Sequence, residues 1–116
     1  VRGARERVKL AETFVAAGGW VSHLVLAETV WILDAVYERT AAQIARAVEL
    51  LLHHEHLALQ DPEVVGAALA RFRARPTLGF SDCLVLEIAR KAGHLPLGTF
   101  DRALSRITGA ERVGGR

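Results

Sequence analysis

Residues 57–63 read Leu57-Ala58-Leu59-Gln60-Asp61-Pro62-Glu63. The spacing predicts a strand over Leu57–Gln60 that runs straight into a helix. Asp61 is a capping residue, Pro62 has the backbone angle that suits a first helical position, and Glu63 is an acid favoured by the positive end of the helix dipole. A strand feeding a helix is the building unit of an α/β protein, so the flanking sequence is read for the same alternation.

The alternation continues in both directions. Upstream, Val8, Ala11, Phe14 and Val15 recur at helical spacing within residues 4–17, and Gly18-Gly19 supplies a stop. Trp20–His23 reads as a strand, and Leu24–Glu38, apolar on nearly every face, as a buried helix. Thr40-Ala41-Ala42-Gln43 has the form of a capping box opening a helix to about His53. Downstream, the helix begun at Pro62 is expected to end near Pro76. A further helix over Ser81–Ala92 closes at Gly93, followed by a buried strand over Leu95–Thr99, a short helix over Asp101–Ile107 and an edge strand at Arg112-Val113. Strands alternating with helices imply a mostly parallel sheet covered on both faces. The expected architecture is α/β, three-layered, with one domain over residues 1–116.

Composition narrows the class. Hydrophobic residues make up 51% of the 116, enough for a core, while aromatics are 6%, so Leu, Val, Ile and Ala must build it. Glu28 and Asp34 interrupt the longest apolar stretch, and nothing reads as a membrane span or signal peptide. The single cysteine, Cys83, excludes an internal disulfide framework and fits a reducing cytoplasm. A net charge of +2 is mildly basic and does not by itself indicate nucleic acid. The chain contains no methionine, so its first residues, Val1–Arg5, are read as a cut edge.

Three carboxylates stand apart. Glu28 has Leu24, Val25, Trp31 and Ile32 three and four positions away. Either it is buried and needs a compensating cation or hydrogen bonds, or it sits at a helix rim and reaches water. Asp82, in Gly79-Phe80-Ser81-Asp82-Cys83-Leu84, stands at a helix start. It either offsets the dipole there, with Ser81 as N-cap, or belongs to a site. Asp101 follows the apolar strand and is either an N-cap or a ligand at the strand's carboxyl end, where open α/β sheets place their sites. Carboxylates brought together repel one another and stay ionised around a divalent cation, and oxygen-only ligands favour Mg²⁺ or Mn²⁺.

The segments Val21-Ser22-His23-Leu24-Val25-Leu26-Ala27-Glu28-Thr29-Val30-Trp31, Gly79–Leu84 and Gly98-Thr99-Phe100-Asp101-Arg102 resemble, in order, the acidic motifs of PIN domains, in particular the VapC-type ribonuclease toxins. The resemblance covers nearly the whole chain. It implies a metal-dependent ribonuclease with Glu28, Asp82 and Asp101 as catalytic metal ligands for Mg²⁺ or Mn²⁺, an RNA substrate, an antitoxin partner and a homodimer. The antitoxin's C-terminal segment is expected on the two helices spanning Leu24–His53, where it covers the crevice or places an arginine among the carboxylates. The family pattern also begins with a strand ending in an aspartate, which this sequence lacks. The resemblance therefore implies either a further strand before Val1, central in the sheet and flanked by the strands near Trp20 and Leu95, or an inactive binding module that keeps the fold.

Other residues read more simply. His53-His54-Glu55-His56 falls at a helix end where cationic groups are favoured, and its consecutive side chains point different ways. Cys83 reads as a small buried residue, and His23 and His94 as structural or surface groups. Arg71, Arg73 and Arg75, like Arg90 and Lys91 and the N-terminal Arg2, Arg5, Arg7 and Lys9, are either solvated or placed to offset the repulsion of RNA by an acidic crevice.

Overall fold

The structure, a computed structural model, describes residues 2–94, 97–99 and 110–113. It comprises two compact units, Val1–Pro62 and Glu63–Arg116, each of which is described by itself.

In the first unit, helix α1 (Arg2–Ala17) leads to strand β1 (Gly19–Val21), helices α2 (His23–Ala35) and α3 (Ala41–Leu52), and strand β2 (Leu57–Leu59). β1 and β2 pair in parallel, Gly19 opposite Leu57 and Val21 opposite Leu59, so the two helices form the crossover between them. The pair is extended at both ends: Gly19 N–H donates to the His56 carbonyl at 3.0 Å and Gln60 N–H to that of Val21 at 2.8 Å. Gly18, at φ 82°, makes this approach possible. A Cβ there would lie 2.8 Å from the His56 carbonyl oxygen.

The strand expected over Trp20–His23 is shorter, because Ser22 caps α2. Its hydroxyl accepts from Val25 N–H at 3.1 Å, and His23 is already helical. The capping box forms as read: Thr40 accepts from Gln43 N–H, and the Gln43 side chain accepts from Thr40 N–H. Leu26 and Val30 of α2, Ile44, Ala45 and Val48 of α3, and Leu57 and Leu59 of β2 are buried, and β2 packs on α3. The expectation of a buried helix over Leu24–Glu38 is corrected. Leu24 is 79% exposed and Trp31 61%, so α2 buries one narrow face although it is apolar around most of its circumference.

The second unit holds helix α4 (Pro62–Ala74), a 3₁₀ turn (Pro76–Leu78), helix α5 (Phe80–Ala92) and strands β3 (Leu97–Thr99) and β4 (Ala110–Arg112). Pro76 ends α4 by driving Arg75 to ψ 74°. Gly93, at φ 76° in the left-handed region, closes α5. The apolar residues Val64, Val65, Ala68, Leu69 and Phe72 of α4, and Phe80, Cys83, Leu84 and Leu86 of α5, are buried, with the Phe72 and Phe80 rings edge to face at 6.0 Å. β3 and β4 pair in parallel, Leu97 opposite Ala110. The strand expected over Leu95–Thr99 is described from Leu97, and the last strand ends at Arg112 instead of spanning Arg112-Val113. The helix expected over Asp101–Ile107 lies outside the described residues.

The described strands thus make two parallel pairs, with β1 and β3 in different pairs. Helices with small parallel sheets fit an α/β fold.

Candidate functional site

Glu28 sits on α2 and is exposed. It lines a cavity of about 380 Å³ with Arg7, Val25, Thr29, Ile32 and Tyr37, all within the first unit. The buried alternative for Glu28 is therefore corrected: the apolar neighbours Leu24, Val25 and Trp31 are themselves exposed, so the carboxylate keeps its water and needs no partner for desolvation. Thr29 donates its hydroxyl to the Val25 carbonyl at 2.8 Å.

Asp82 lies in the first turn of α5 and is half-buried. Ser81 is not the N-cap. Gly79 holds that position at φ 82° and ψ 145°, a conformation that side-chain-bearing residues avoid, and no side-chain hydrogen bond caps the helix. The Asp82 carboxylate lies near Gly79, with an oxygen 3.8 Å from where a Cβ would stand. Asp101 lies outside the described residues.

Cys83 is fully buried, and burial pushes its thiol up to about 11; the Arg71 charge opposes that shift, while Asp82 and Glu87 reinforce it. At neutral pH it is a protonated thiol and no nucleophile. The histidine run ends α3. His53 caps the helix with its ring nitrogen 3.0 Å from the Glu49 carbonyl, and His54 accepts from His56 N–H at 3.1 Å. Among the described residues, no group of three or more His, Cys, Asp or Glu side chains is arranged to hold a metal. His23 opens α2, its N–H donating to the Gln60 side chain at 2.9 Å.

Sequence reading passed over Glu87. It is a buried acid on α5, and its Oε1 accepts from both Nε and Nη2 of Arg71 on α4, each at 3.0 Å, with Arg90 Nε 3.6 Å from its Oε2. Its signal lay in Leu84 and Cys83, three and four positions before it, the same kind of signal that drew attention to Glu28.

The PIN domain family model matches residues 1–110. The chain belongs to the PIN-domain family. No curated protein and no solved structure matches it. PIN domains are generally nucleases that act on nucleic acid and use divalent metals. The carboxylates of Glu28 and Asp82 suit that chemistry as donors, since both are hard oxygen ligands. No helix among the described residues is long and apolar enough to cross a membrane.

Proposed function

We propose that the chain is a VapC-type endoribonuclease, the toxin of a toxin–antitoxin pair, with Glu28, Asp82 and Asp101 converging on one crevice of a single domain. What carries the reading is the family match over residues 1–110, within which the three carboxylates fall in order. The three-layer arrangement, with a further central strand, belongs to the same proposal.

Glu28, Asp82 and Asp101 would hold one or two Mg²⁺ or Mn²⁺ ions, which when bound supply an activated water and charge stabilisation at the phosphodiester. Glu28 is open to solvent and therefore to a substrate. Asp82 stands in the first turn of α5, where an acidic side chain complements the helix dipole. Exposed Leu24 and Trp31 on α2, and a cavity of about 440 Å³ that Leu33, Ala47 and Leu50 help line, support α2 and α3 as the seat of an antitoxin segment. Homodimerisation and a cytoplasmic setting complete the reading.

The rival is a PIN-fold binding module without cleavage. Replacement Asp101→Asn separates the two. In the nuclease, Mg²⁺- or Mn²⁺-dependent cleavage of a mixed RNA pool falls on the order of a hundredfold or more, because the amide loses the charge that holds the cation, while the melting temperature holds. Cleavage that survives both EDTA and the substitution would refute the assignment. A wild type inactive on every RNA favours the module.

A further inference from the structure

We propose that Arg71, held in place by buried Glu87, grips a backbone phosphate of single-stranded nucleic acid lying along the α4–α5 face of the second unit. The proposal takes its class of ligand from the nuclease reading, and its geometry from residues outside the three carboxylates.

Glu87 is the one buried charged residue among those described, 8% exposed. An acid in that position is rarely a gain in stability, since an apolar pair of similar size usually serves as well or better. Its arrangement fits a holder of cations. Arg71 turns Nε and Nη2 onto a single carboxylate oxygen, and Arg90 stands at the other. Nη1 of Arg71 is outside that pair, and the side chain keeps 27% of its surface open. A guanidinium fixed in this way has lost most of its rotamer freedom before any ligand arrives, so binding an anion costs less order. Two guanidiniums on one carboxylate also leave a net positive charge.

The surroundings reinforce it. Residues 63–116 carry nine Lys and Arg against five Asp and Glu, a net charge of +4, whereas residues 1–62 carry six against eight, a net charge of −2. Positive charge is thus concentrated in the unit that holds Arg71. Beside the pair lies a groove of about 330 Å³ lined by Glu63, Val64, Ala67, Glu87, Arg90 and Lys91, with Lys91 3.6 Å from Glu63, so its own charges balance and Arg71 is the cation beyond that balance. A flexible polyanion suits a unit with that surplus of cations, and each phosphate neutralised makes binding salt-dependent.

The test reads binding of a short labelled oligouridylate by fluorescence anisotropy, in EDTA, across a series of salt concentrations. The Arg71→Met/Glu87→Leu double variant keeps the packing and removes the held guanidinium. Its affinity is expected to fall about tenfold, the weight of a charge-assisted hydrogen bond, and its salt slope to flatten by about 0.7, the share of one single-strand phosphate contact. Arg39→Met, an exposed cation of the first unit, should change neither. If the double variant fails to fold, Arg71→Lys serves instead: it keeps the charge, removes the fork and should weaken binding. Wild-type affinity in the double variant (or, in its place, in Arg71→Lys), an equal loss in Arg39→Met, or no binding by the wild type would overturn the proposal. So would polyglutamate binding the wild type more tightly than the RNA, which would assign the face to an acidic protein. A wild type that binds in EDTA but never cleaves with Mg²⁺ would overturn the nuclease reading and leave this one standing.

Discussion

Glu28 on α2 and Glu87 on α5 are both glutamates on helices with apolar neighbours one turn away, and they end in opposite environments. Glu28 is exposed among exposed apolar side chains, while Glu87 is buried beneath two arginines. The difference lies in what each helix can offer the carboxylate. α5 meets α4 through the edge-to-face pair Phe72 and Phe80, and α4 presents Arg71 to Glu87. On α2 the apolar residues outnumber the positions on one face, and the stripe Leu24, Glu28 and Trp31 falls outside the buried strip of Leu26 and Val30. Apolar neighbours one turn away therefore do not decide whether a glutamate is buried; a cation able to reach it does.

The largest effect expected from this comparison is on activity. Glu28→Gln should lower metal-dependent cleavage on the order of a hundredfold while leaving the melting curve in place, because an exposed carboxylate does chemistry without supporting the core. A lowered melting temperature in that variant would mean that Glu28 is a structural residue.

The reverse pattern is expected on α5. Glu87→Ala strips Arg71 of its partner and should destabilise by about 2 kcal/mol, less than the ~3–5 of a fully buried pair because Arg71 still reaches water. Urea unfolding measures it, and a midpoint equal to wild type would show the pair to be worth nothing. Removing both partners sharpens the point. Arg71→Met/Glu87→Leu should return to within about 1 kcal/mol of wild type, since the one cation that then loses a partner, Arg90, is exposed to water. A double variant as unstable as Glu87→Ala would mean that packing, and not charge, is what Glu87 contributes.

The last effect is confined to alkaline pH and belongs to Cys83, one turn before Glu87. Its folded thiol ionises near 11 against an ordinary 9.0, so the unfolded chain releases that proton first as pH rises. Its contribution is fully present below pH 9 and is lost as pH climbs through 11, about 3 kcal/mol in all. Comparing alkaline unfolding of wild type and Cys83→Ala isolates it, and parallel pH profiles would show that the thiol is not desolvated.

Features written in a few adjacent residues were legible in the sequence. The Thr40–Gln43 capping box, the left-handed Gly93 and the helix start at Pro62 depend on local hydrogen bonds and backbone angles, and they stand where the residues put them. The face that α2 turns inward was not legible, because a helix apolar all round has no periodicity to break the tie. Ser81 was misread as a cap because its hydroxyl is of the right type; the backbone of Gly79 two residues earlier decided the start. For the site, Glu28 and Asp82 were legible as residues at helical positions. Their convergence with Asp101 is a matter of tertiary packing that no local pattern encodes, and Glu87 became visible through an arginine 16 positions away.

The two parallel strand pairs differ in how much chain each must close. β1 meets β2 across about 38 residues, from Gly19 to Leu57, and β3 meets β4 across about 13, from Leu97 to Ala110. Loop-closure entropy grows with the logarithm of that length, a difference of about 1 kcal/mol against the longer loop. The first pair is thus the slower to form by this measure. Its loop is shortened if α2 and α3 are already wound, which Ser22 and the capping box at Thr40 promote locally. Helix caps within the crossover therefore govern the rate at which β1 finds β2, and weakening Thr40 would be felt in refolding kinetics, at a sheet the residue never touches.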